Sequence, residues 1–164
     1  MTRLRLADAP TTEVSMVIAA TPGQLWPLVS DIELPARFSP EFQGAEWLDG
    51  ATGPSVGSRF RGRNQHDRIG EWQVTCTIVE CETERVVAWA VEDVDAPAAM
   101  WRFTLEPVDG GTEVTQWCQM GPGRSALSRV IEQMPDREHD IITRRLAEHA
   151  ANMQKNLEGL ASLV

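Results

Sequence analysis

The chain contains no tyrosine, one lysine (Lys155) among its fifteen cations, and three cysteines. Without tyrosine, no phenol is available as a donor or acid at any site. Cys76, Cys81 and Cys118 form no CxxC pair and cannot all pair with one another, so neither a disulfide framework nor a zinc knuckle is expected, and a reducing cytoplasm is the expected location. Positive charge is scarce: 15 Lys+Arg stand against 24 Asp+Glu, a net charge of −9. Such a surface repels phosphate backbones, and nucleic acid is not an expected partner. A long apolar run is also missing. Val14 to Ala20 is broken by Ser15 and preceded by Asp8 and Glu13, too short for stable membrane insertion and poorly flanked for a signal peptide. There is no nucleophile elbow, phosphate-cradling glycine loop, HExxH or carboxylate pair at metal spacing, so neither a metal site nor a cofactor is expected.

What is present is the material of one compact core: 164 residues, 42% hydrophobic and 24% charged. Met1 to Thr12 carry no period and read as a flexible N-terminal arm, with a single domain over 13–164. Glu13 to Ala20 is rich in β-branched and apolar residues and predicts a first strand. Thr21-Pro22 then supplies an N-cap and an N1 proline for a helix over 22–30, followed by a second short helix near 34–38. The period then changes to two. Strands are expected over 45–48, 58–64, 71–81, 85–91, 100–106 and 112–120, the last two joined by Asp109-Gly110-Gly111. Ser125 to Met134 reads as a helix ended by Pro135, with Asp136 as the N-cap of a longer one. Ile142, Leu146, His149, Met153, Leu157, Leu160 and Val164 recur at helical steps, a stripe for a helix laid on a core. The expected class is therefore α+β: a seven-stranded antiparallel sheet, two short helices after strand 1, and a long C-terminal helix.

The tokens ATPGQLWPLVSD (20–31), FSPEFQGAEWLDG (38–50), VGSRFRGRN (56–64), EWQVTCTIVEC (71–81) and WRFTLEPVDGGTEVT (101–115), in that order before a closing helix, resemble the START-like SRPBCC superfamily. They are most similar to its bacterial polyketide cyclase/dehydrase-like group. The resemblance covers residues 13–163. It implies the helix-grip fold, a curved sheet wrapped around the long helix, with a largely apolar cavity that holds lipids, polyketides or other hydrophobic small molecules.

Strand register points Phe60 and Asn64, Trp72, Val74 and Cys76, Trp89, Trp101 and Phe103, and Gln116 toward that interior, opposite His149 and Met153 of the helix. These eleven are the expected ligand-binding residues, Asn64, Gln116 and His149 being the polar ones, since few convergent polar groups in an apolar chamber describe a small-molecule site. His149 is also the one candidate acid or base. Arg59, Arg61 and Arg63 take the outward phase, and His66, Asp67 and Arg68 read as a polar strand connection. Outward Trp117 invites cover by the arm or by a second subunit, so a homodimer is one expected assembly. The leading function is storage, transport or sensing of a hydrophobic small molecule. A polyketide cyclase or aromatase-type enzyme is the alternative, and a co-chaperone-like interaction module the third.

Overall fold

The computed structural model describes residues 2–164. A seven-stranded sheet comprises β1 (Thr11–Ile18), β2 (Phe42–Trp47), β3 (Arg59–His66), β4 (Gly70–Glu82), β5 (Val86–Val91), β6 (Ala99–Val108) and β7 (Gly111–Met120). Its order is β1-β7-β6-β5-β4-β3-β2, antiparallel throughout. Among the described residues three α-helices accompany it: α1 (Pro22–Val29), α2 (Ala126–Gln133) and α3 (Glu138–Ser162). At 25 residues, α3 runs about seven turns, and it packs against β1 and β7. This is the helix-grip arrangement.

Local chemistry explains most boundaries. Thr21 caps α1: its side chain accepts from the Gln24 N–H at 3.2 Å, and the Gln24 side chain accepts from the Thr21 N–H at 2.8 Å. Strand β2 begins at Phe42, three residues before the expected Ala45, because a bulge between Phe42 and Gly44 keeps the chain paired with β3. Gly44 sits there at φ +150, which a side chain rarely adopts. A second register shift between Ile78 and Glu80 interrupts β4. Irregularities of this kind bend a strand locally and increase its twist.

Three expectations are corrected. Residues of the N-terminal arm are docked: the Leu4 N–H donates to His139 Nδ1 and the Leu6 N–H to Glu138 Oε1, and β1 begins at Thr11, inside the expected arm. Asp136 does not cap α3; Pro135–Arg137 forms a 3-10 turn and the helix follows it. The buried stripe of α3 takes Arg145 where Leu146 was expected, Leu146 being half-buried and Val164 exposed. The cause is a division of the apolar core. One cluster fills the sheet's concave side, with Leu157 and Leu160 at its helical edge. Another gathers Met120, Leu127 and Ile142, packed on by Leu4, Leu6 and Leu146. The arm and α2 thus draw Leu146 sideways, and the turns of α3 between Ile142 and Leu157 carry polar side chains inward.

The outer face behaves as its residues suggest. Arg59 pairs with Asp49 and Arg61 with Glu46. The Arg102 guanidinium lies over Trp117, 4.4 Å from its ring centroid, a cation–π contact across the β6–β7 pair.

Candidate functional site

Where α3 carries polar groups inward, the sheet and helix part. An inner chamber of about 100 Å³ lies there, beside a larger cleft of about 650 Å³. The two share Glu41, Asn64, Val74, Val91, Trp101 and His149 as wall.

Nine of the eleven expected residues line the inner chamber: Phe60, Asn64, Val74, Cys76, Trp89, Trp101, Gln116, His149 and Met153. Trp72 lines the outer cleft alone. Phe103 lines neither. It is 1% exposed and packs in the core with its ring centroid 6.4 Å from that of Trp89, so its inward phase makes it filling and not wall.

His149 projects from α3 against Trp101, ring centroids 5.0 Å apart and nearly perpendicular. Neither of its ring nitrogens is hydrogen-bonded among the described residues, and both cavities border it. Burial lowers its pKa well below the ordinary histidine value of 6.5, with Arg145 and His66 adding in the same direction. The imidazole is neutral at pH 7.

Five residues at this site escaped the sequence reading: Glu41, Arg145, Glu148, Asn152 and Asn156. Arg145 grips Glu41 with both terminal nitrogens, at 2.6 and 2.5 Å, and donates to Glu148 at 3.0 Å. His66, expected in a strand connection, is the last residue of β3 and reaches Glu148. Its Nδ1 accepts the Arg68 N–H at 3.0 Å, which leaves Nε2–H to donate to Glu148 Oε2 at 2.5 Å. Burial would raise the Glu148 carboxyl, but the His66 hydrogen bond and the Arg145 charge hold it below the usual carboxylate range. Glu41, His66 and Glu148 bring three ligand-type atoms within 4.8 Å of one another, a spacing that suits a cation. The guanidinium of Arg145 already supplies the positive charge there.

The deep end of the chamber is different. Asn156, 4% exposed, donates from Nδ2 to Gln116 Oε1 at 3.1 Å, while its Oδ1 is buried without a hydrogen-bond partner. Spacing held the available signal: Ile142, Arg145, His149, Asn152 and Asn156 follow at steps of 3, 4, 3 and 4, the phase of the stripe. Polar side chains on that phase ordinarily argue for the solvent face.

Known proteins share this architecture. The solution structure of the Polyketide_cyc-like protein Cgl2372 from Corynebacterium glutamicum is 28% identical, with 93% of this chain and 90% of that one aligned at a TM-score of 0.64. TTHA0849 from Thermus thermophilus superposes equally well at 16% identity, over 93% of this chain and 95% of that one (TM-score 0.64). Ara h 8.0201, at 15% identity, covers 94% of this chain and 97% of its own (TM-score 0.60). These last two share the fold. No curated protein matches the chain. The family model described as polyketide cyclase / dehydrase and lipid transport matches residues 9–164, and the chain belongs to that family.

Proposed function

We propose that the protein binds a hydrophobic small molecule, such as a lipid or polyketide, between the sheet and α3. The observation that carries this reading is the two-part cavity: an inner chamber walled by Phe60, Trp89, Trp101 and Met153, sharing its wall with a cleft of about 650 Å³, a volume within the range of small-molecule sites. The family description and the aromatic lining support it. A ligand would seat one end in the chamber and extend past His149 into the cleft.

Native mass spectrometry and tryptophan fluorescence against a panel of fatty acids, sterols and polycyclic aromatics test the proposal. Trp72, Trp89 and Trp101 report on the cavity. Saturable binding in the wild type that is lost in Met153→Trp, which fills the chamber, is expected; no binding across the panel overturns the reading.

A cyclase-type reaction is favoured by one observation, the neutral His149 with unbonded ring nitrogens at the cavity wall. Orientation in a shaped pocket would then supply most of the rate, and His149 would move the proton. The same burial that keeps it neutral makes it a weak base at pH 7, so binding stands as the leading function. Unchanged turnover in His149→Ala removes the alternative.

A further inference from the structure

We infer that the ligand is uncharged at its buried end and carries a hydroxyl group there, held by the Asn156–Gln116 amide pair. The inference rests on the binding function proposed above and narrows its ligand class.

Two observations support it. The first is the state of the amide pair. One hydrogen bond joins Asn156 Nδ2 to Gln116 Oε1, leaving Asn156 Oδ1 as an acceptor without a partner, although the residue is 4% exposed. The Gln116 amide nitrogen donates to no acceptor among the described residues, and Gln116 is 2% exposed. Both residues line the inner chamber. The pair therefore brings to the chamber an unpaired acceptor, Asn156 Oδ1, and the unused amide N–H donors of Gln116. A hydroxyl is the smallest group that is both, and it satisfies the pair whichever way the two amides are turned. An orphaned buried polar atom costs free energy that a ligand hydroxyl would recover.

The second observation is charge. The ionisable side chains lining the inner chamber are Glu41, His149 and Cys76. Burial keeps the imidazole neutral and the Cys76 thiol protonated. The Glu41 carboxylate is held by Arg145, and the Arg145 guanidinium by two carboxylates. No cation among the described residues lines the chamber, so a ligand carboxylate or phosphate entering it would lose its hydration and find neutral hydrogen-bond donors but no compensating charge. An apolar end group would leave Asn156 Oδ1 unpaired. A neutral hydroxylated ring or isoprenoid alcohol meets both conditions.

Three probes of one shape separate the cases: naphthalene, 2-naphthol and 2-naphthoate, titrated by tryptophan fluorescence and calorimetry into the wild type, Asn156→Leu and Gln116→Met. The naphthol should bind at least about tenfold more tightly than naphthalene, the difference expected of one good hydrogen bond. It should also bind more tightly than the naphthoate. The advantage over naphthalene should vanish in Asn156→Leu; should that variant not fold, Gln116→Met gives the same comparison. Naphthalene binding with no advantage for the naphthol overturns this inference and leaves the cavity function standing. So does an advantage that persists in the folded variants, or a naphthoate that binds as well as the naphthol. Failure of all three probes to bind, naphthalene included, overturns the cavity function itself and this inference with it.

Discussion

Replacing Arg145 with methionine removes the one cation in the buried cluster while keeping much of the length of the side chain. Arg145 is 8% exposed at its side chain and Glu41 13%, and the Glu41 carboxylate has no other side-chain partner among the described residues. The variant therefore strands a carboxylate in a nearly dry site. Removing one member of a buried ion pair costs about 3–5 kcal/mol, and for a chain of this size each kcal/mol lowers Tm by about 2–4 °C. A drop of roughly 6–20 °C at pH 7 is expected by far-UV circular dichroism, with a matching shift in the urea midpoint. The double variant Arg145→Met/Glu41→Leu makes the same prediction from the other side. With both charges gone and apolar volume in their place, most of the loss should return, leaving Glu148 with His66 and Arg144 at a more open position. Coupling between the two sites is the quantity read. A single variant melting within about 2 °C of wild type would refute the reasoning, as would a double variant no more stable than the single.

His149 has a lowered folded-state pKa, so below about pH 6.5 the unfolded chain binds a proton that the folded one resists, and stability falls with pH until the folded value is passed; above about pH 6.5 this residue contributes no slope. Melts from about pH 7.5 down to about pH 5, a window that brackets the unfolded value, should show the wild type losing stability relative to His149→Gln, and parallel curves would refute the burial of the ring. Gly159 lies directly against the ring of Phe38, which leaves no room for an added Cβ. Gly159→Ala should therefore destabilise by about 1–3 kcal/mol despite its better helix propensity, and a higher Tm would contradict the packing. Burial pushes the Cys76 thiol far up and that of Cys118 to about 12, while Cys81 is raised less and is half-buried. A thiol reagent at about pH 8 should label one cysteine slowly in the folded protein and all three in denaturant; rapid labelling of all three in the folded protein would refute this.

The fold was largely legible because its signals are local. The alternation of Glu71 to Cys81 marks β4 within a residue at either end, and Thr21-Pro22 marks the start of α1. Boundaries were missed where a residue serves a distant contact: the start of β2 lies ahead of Ala45 because the bulge at Gly44, opposite Arg63, keeps the chain paired, and Pro135 hides the 3-10 turn that delays α3. The apolar wall of the cavity followed from strand phase, with Phe103 displaced because phase says which face a residue takes and not whether anything lies beyond it. The polar half did not follow. Arg145 meets Glu41 across 104 residues and His66 meets Glu148 across 82, separations over which no spacing rule operates.

The pairing of β1 with β7 has a kinetic consequence. Strands β2 to β7 form a meander in which each pairs with its sequence neighbour, but Ser15 meets Thr115 across 100 residues. As the chain leaves the ribosome, its first strand must wait for nearly the whole sheet before it has a partner. Closing so long a loop slows the final step of folding. Until then the free edge of β7 offers a row of unpaired backbone groups, to which the first strand of a neighbouring chain is as complementary as its own. Refolding at high concentration should thus favour dimers that exchange this strand.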